Sequence, residues 1–114
     1  MPMDSNFRQE ITLLHAQVCS GLADPNRILI LYTLNDNALN VSELSRKLGL
    51  SQPTTSRHLK ILRERGLVVA EREAQSIYYT LTDQRVIEAL DLLRAVLNNK
   101  LEAQAQLVSK NDLK

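Results

Sequence analysis

The chain has 114 residues, 44% of them hydrophobic but only 4% aromatic, with no Trp, one Phe and three Tyr, and a formal net charge of +1. A single domain of this size has an aliphatic core and buries only about two-thirds of its unfolded surface, which argues against a self-sufficient monomer and for pairing with a copy of itself. One cysteine excludes an internal disulfide framework, while the net charge says little by itself and its distribution along the chain says more.

The start, MPMDSNFRQE, lacks the basic-then-apolar order of a signal peptide. No apolar run approaches the ~18 residues that span a bilayer. A cytoplasmic protein without membrane contact is expected, organised as one domain over residues 1–114. Ser5 suits the N-cap of a first helix in which Phe7, Ile11, Leu14 and Val18 recur at helical spacing, ending near Gly21. Asp24 and Pro25 then fit the N-cap and first position of a second helix. Its apolar residues, Ile28, Leu29, Ile30, Leu31 and Leu34, are nearly continuous, which predicts burial on most sides. The stretch NDNALN breaks it.

Asn40 opens a third helix, and Glu43 completes a capping-box pattern three residues later. Gly49 stands where a left-handed residue ends a helix, Leu50 can fold back on the preceding turn, and Ser51 caps the next helix. A stop signal, an apolar staple and a start signal thus occupy consecutive positions. Two short helices joined this way over about 41–65 read as a helix-turn-helix. On the fourth helix, about 52–65, Thr55, Leu59 and Leu62 share the side assigned to the core. Pro53, Arg57, Lys60 and Glu64 point away, flanked by Thr54 and Ser56. From Ser51 to Arg65 four bases (Arg57, Lys60, Arg63, Arg65) face one acid, Glu64, with His58 in addition. This is a short, polar, basic face suited to a DNA groove.

After Gly66 the period changes to that of strands. Leu67–Ala70 and Ile77–Leu81 flank a charged tip, predicting a hairpin wing over about 67–81. The last helix starts near Asp83, capped by Thr82 or Asp83. Val86, Leu90, Leu93, Leu97 and Leu101 form a stripe that reaches to about 108, long enough to pack on another chain. The tail SKNDLK is expected to fray. The fold class is therefore mainly α with a small β-hairpin, a winged helix-turn-helix of five helices plus a wing.

The phrases LADPNRILIL, VSELSRKLGLSQPTTSRHLKILRERGLV and IYYTLTD, in that order over Leu22 to Asp83, resemble the arsenic-repressor (ArsR/SmtB) family of bacterial transcriptional regulators. The resemblance implies a homodimer joined through its first and last helices, about 6–21 and 83–108. Phe7, Ile11, Leu14, Val18, Leu90, Leu93, Leu97 and Leu101 would then line the seam. It implies a repressor that binds a pseudo-palindromic DNA operator and releases it on a signal. It also implies two places for metal ligands. Paired cysteines would fall at about Asn40 and Ser42, and a set on the last helix at Asp83, Arg85, Val96 and Asn99. Only Asp83 is of a ligand type there, and zinc takes about four N, S or O ligands, so no metal and no cofactor is expected.

The DNA-binding residues expected are Ser51, Gln52, Thr54, Ser56, Arg57, His58, Lys60 and Arg72. Short polar groups and backbone N–H at the helix entrance reach phosphates or base edges. Gln52 matches adenine and Arg57 guanine in the major groove, while Lys60 is better placed for phosphate. The family commonly has His at position 58, where support of the helix competes with direct contact. Arg72 on the wing has the minor groove or its phosphates in reach. The family's usual wing tip has Gly and a further Arg where this chain has Ala74 and Gln75, and Glu71 and Glu73 lower the charge further. Cys19 is a candidate redox site if it lies near the seam, against the plainer reading of a small apolar filler. No phosphate loop and no nucleophile-and-base pairing suggests an enzyme. The alternative is a winged helix for protein docking or architectural DNA binding without an effector.

Overall fold

Asp4, not Ser5, starts the first helix. In the computed structural model, which describes residues 3–112 and side chains through 108, the Asp4 carboxylate accepts from the Asn6 N–H at 3.2 Å. Helix α1 (Ser5–Leu13) continues into a π-helical stretch, Leu14–Cys19, in which the Ser20 N–H reaches the His15 carbonyl. The Thr12 and Ser20 hydroxyls bond back onto the Arg8 and Ala16 carbonyls, a pattern that bends helices. The uniform α-helix expected up to Gly21 is thus widened by one turn of different pitch.

The described residues divide between Asp83 and Gln84 into two compact units. In the first, α2 (Pro25–Asp36) is capped as expected, Asp24 accepting from the Asn26 N–H at 2.8 Å with Pro25 at the start of the helix. Ile30, Leu31 and Leu34 are buried, but Leu29 is 50% exposed, so α2 has one open side where burial on most sides was expected.

Helix α3 (Val41–Leu48) opens with a complete capping box. Asn40 accepts from the Glu43 N–H at 2.8 Å, and the Glu43 side chain accepts from the Asn40 N–H at 3.1 Å. It closes on Gly49 at φ +67, and the Leu50 N–H returns to the Ser45 carbonyl. Helix α4 (Gln52–Glu64) closes the same way on Gly66 at φ +74, with the Gly66 N–H on Arg63 and the Leu67 N–H on Leu62. Both glycines take the left-handed conformation that a Cβ disfavours, so both helix ends are sharply fixed.

Thr55 holds α3 and α4 together. Its Oγ1 donates to the Ser51 carbonyl at 2.9 Å and accepts from the Ser45 hydroxyl at 3.0 Å, and both side chains are buried. Thr55→Val keeps the shape but strands the Ser45 hydroxyl. It should lower stability by about 1–3 kcal/mol, read as a lower urea midpoint at unchanged slope. Adding Ser45→Ala, which removes the stranded group, should recover part of the loss.

Strands β1 (Val68–Glu73) and β2 (Ser76–Leu81) pair antiparallel, from Val68 opposite Leu81 to Glu73 opposite Ser76. The expected charged tip is therefore strand: Glu71, Arg72 and Glu73 are all paired, and only Ala74 and Gln75 turn. The hairpin is also tied to the rest of the unit. Leu39, read from sequence as part of a break, is buried and exchanges both backbone hydrogen bonds with Tyr79 (3.3 and 2.9 Å).

At the tip Ala74 sits at φ +58, a conformation tight two-residue turns give to Gly. Ala74→Gly should stabilise the protein by up to about 1 kcal/mol, seen as a rise of a few degrees in melting temperature.

The second unit is α5 (Arg85–Asp112), starting two residues later than expected, with the Gln84 carbonyl accepting from Ile87 and Glu88. The helix includes residues 109–112 of the tail that was expected to fray. Leu93, Leu97 and Leu101 are exposed in the single chain. Of the residues expected in the seam, Leu90 is buried at 5% exposure and Val18 is half-buried. Among the described residues no helix is long and apolar enough to cross a membrane.

Candidate nucleic-acid interface

At 100° per residue α4 divides cleanly in two. Thr55, His58, Leu59 and Leu62 are buried. Gln52, Pro53, Ser56, Arg57, Lys60, Arg63 and Glu64 are exposed and occupy an arc of about 140° on the other side. Among the described residues the side chains of Gln52, Ser56, Arg57 and Lys60 have no hydrogen-bond or salt-bridge partner within the chain. They form one continuous polar and basic face, held at a fixed angle by the Ser51 cap at one end and the Gly66 closure at the other.

The helix entrance is more occupied than the sequence suggests. The Ser51 hydroxyl accepts from the Thr54 N–H at 3.2 Å and donates to the Thr54 hydroxyl at 2.9 Å. The Thr55 N–H is taken by the Ser51 carbonyl, and Pro53 has none. Of the first backbone donors of the helix, only that of Gln52 has no partner among the described residues. Ser51 and half-buried Thr54, both expected at the DNA, are engaged in capping.

His58, for which support of the helix competed with direct contact, lies on the buried side. It is 8% exposed, and its Nδ1 lies 3.4 Å from an Arg27 guanidinium nitrogen, on the side of α4 away from the basic face. Its place in the helix, at the edge of the buried sector, was visible in the sequence. Its partner, 31 positions earlier, carried no local signal.

Register separates the charges of the wing. Side chains alternate faces along a strand, so Arg72 shares a face with Ala70 and Val68, whereas Glu71 and Glu73 project from the other. All three are exposed. The two acids therefore oppose Arg72 less than their sequence proximity implies. Cys19 is a free, exposed thiol in the π-helical stretch, outside the basic face. Among the described residues no three His, Cys, Asp or Glu side chains gather to hold a metal ion.

Residues 24–69, which include the whole helix-turn-helix, match the family model described as bacterial regulatory protein, arsR family. The chain is 42% identical over 91 residues to the transcriptional activator HlyU of Vibrio cholerae, covering 80% of each. Its fold superposes on NolR from Sinorhizobium fredii with a TM-score of 0.74 and 35% identity, over 84% of this chain and 95% of that one. Mb0332 from Mycobacterium bovis, solved as a homodimeric winged helix-turn-helix DNA-binding domain, superposes with a TM-score of 0.74 at 28% identity, over 90% and 94% of the two chains. With its element order, its two-stranded wing and these likenesses in agreement, the chain belongs to the arsR family of bacterial transcriptional regulators and is a winged helix-turn-helix protein.

Proposed function

We propose that the protein acts in the cytoplasm as a homodimer that represses transcription by seating its two α4 helices in successive major grooves of a pseudo-palindromic operator. The observation that carries this reading is the exposed, uncommitted face of Gln52, Ser56, Arg57 and Lys60 on a helix locked at both ends. Arg57 presents the planar fork that pairs with guanine, and Gln52 the amide that pairs with adenine. Lys60, a turn further along on a flexible stem, meets phosphate, and Arg72 reaches toward the flanking groove from the wing. Ser51 and Thr54 hold the helix entrance, and His58 supports the helix from behind. Two such helices related by a twofold axis read half-sites about 34 Å apart. A dimer so placed occludes the promoter it covers, which is sufficient for repression.

Selection from random duplex DNA by the purified protein tests the reading. The expected product is an inverted repeat with half-sites one turn apart, bound well above a scrambled competitor and with steep salt dependence. Recovery of no common sequence, or equal binding to every duplex, would overturn it in favour of architectural binding or protein docking. Repeating the selection with zinc, arsenite or a persulfide donor reports which signal, if any, releases the site.

A further inference from the structure

We propose that Arg27 is a positioning residue that fixes the angle between the first helix and the recognition helix, and so sets the half-site spacing the dimer accepts. Its guanidinium reaches three places at once. Nε donates to the Gly21 carbonyl at 2.8 Å, Nη2 donates to the Ser20 carbonyl at 3.2 Å, and Nη1 stands 3.4 Å from His58 Nδ1. The two carbonyls belong to the last turn of the first helix, where acceptors lack partners within the helix and the dipole favours a cation. A guanidinium has donors and no acceptor, so in this contact Nδ1 of His58 stands on the accepting side. The end of the first helix, the start of α2 and the middle of α4 therefore meet on one rigid planar group.

The neighbouring packing leaves little slack. A Cβ at Gly21 would come within 2.7 Å of the Leu67 side chain, so the end of the first helix lies directly against the segment that leaves α4. Leverage makes the angle matter. α4 has 13 residues and is about 20 Å long, so a tilt of about 10° about its Gly66 end moves its entrance by about 3.4 Å, one base-pair rise. With the first helix placed in the dimer seam, a small loss of definition here becomes a change in the distance between the two reading heads. Lysine cannot replace the strut: it keeps the charge but offers a flexible point instead of a fork with fixed directions.

This role presupposes the paired half-sites proposed above, and the test separates the two. The probes are the selected inverted repeat, the same repeat with its central spacer one base pair longer or shorter, and a scrambled duplex. Wild type should prefer its own spacing. Arg27→Lys should lose at least tenfold on the native spacing and flatten the preference among the three, while its dimer mass and its binding to the scrambled duplex stay as in wild type. His58→Phe should do the same, and the double variant should be no worse than the poorer single one, because the link from Arg27 to α4 runs through its contact with His58. If Arg27→Lys does not fold, His58→Phe carries the test alone, since it leaves both carbonyl bonds of Arg27 in place. A wild-type spacing profile in the folded variants would overturn the proposal. So would an equal loss on all four duplexes, the mark of a purely structural or electrostatic role. Failure of wild type to distinguish repeat from scrambled duplex would instead remove the operator reading.

Discussion

Replacing Leu97 with Glu should leave the chain monomeric at micromolar concentration and cut affinity for the full operator by at least ~100-fold. Leu93, Leu97 and Leu101 on α5 are 61%, 53% and 51% exposed in the single chain, and Phe7, Ile11 and Leu14 on the first helix are exposed to a similar degree. Each such side chain contributes about 1.5–3 kcal/mol when buried, and a twofold interface counts every one twice. A carboxylate at position 97 removes one of these contributions. It also brings a charge into a desolvated seam, and by symmetry a second one from the other copy. Uncoupling the subunits then turns one two-site event into two independent ones, and the advantage of linked half-sites, a factor of about 10²–10⁴, disappears. Sedimentation equilibrium reads the mass, and gel shifts on a palindrome and on a single half-site read the coupling. The variant should bind both duplexes alike. A dimer that persists with undiminished preference for the palindrome would place the seam elsewhere.

Local chemistry was the legible part of this molecule. Asp24 with Pro25, Asn40 with Glu43, Gly49, Ser51 and Gly66 each act on backbone groups within a few residues, and every one of these caps stands where its residue type suggested. The division of α4 came from helical period alone. What escaped was non-local or a matter of degree. The Leu39–Tyr79 bridge and the Arg27–His58 contact join segments far apart in sequence, and nothing in either segment announces the other. The wing strands run on through Glu71, Arg72 and Glu73 because backbone pairing continues until a tight turn ends it, whatever the side chains. Leu29 and Leu90 look alike in composition, yet one is open and the other covered, since the neighbours that decide burial come from the fold. The entrance of α4 was half legible. Ser51 as a cap and Ser51 as a DNA contact were both plausible, and the cap engages the hydroxyl that the contact would need.

The exposed face of α4 yields two outcomes that differ in kind as well as in size. Arg57→Ala removes a bidentate donor from near the helix entrance, the end of a recognition helix that meets base edges. A base contact of this type is worth about 1–3 kcal/mol. The homodimer loses it in both half-sites, so cognate affinity should fall by about 2–6 kcal/mol, from about 30-fold to about 20,000-fold, with the ratio of cognate to scrambled binding falling nearly as far. Lys60→Ala, a turn further along the same face, removes the point charge proposed to meet phosphate. It should weaken cognate and scrambled duplexes together and leave their ratio unchanged. The slope of log affinity against log salt should then shrink by about two, one counterion for each of the two copies. Competition binding across a salt series, with both variants on both duplexes, resolves the two effects in one experiment. Dimer mass serves as the control, since neither side chain lies in the apolar stripes. An Arg57→Ala variant whose ratio matches that of wild type would make that arginine another phosphate contact and move the reading of bases to Gln52.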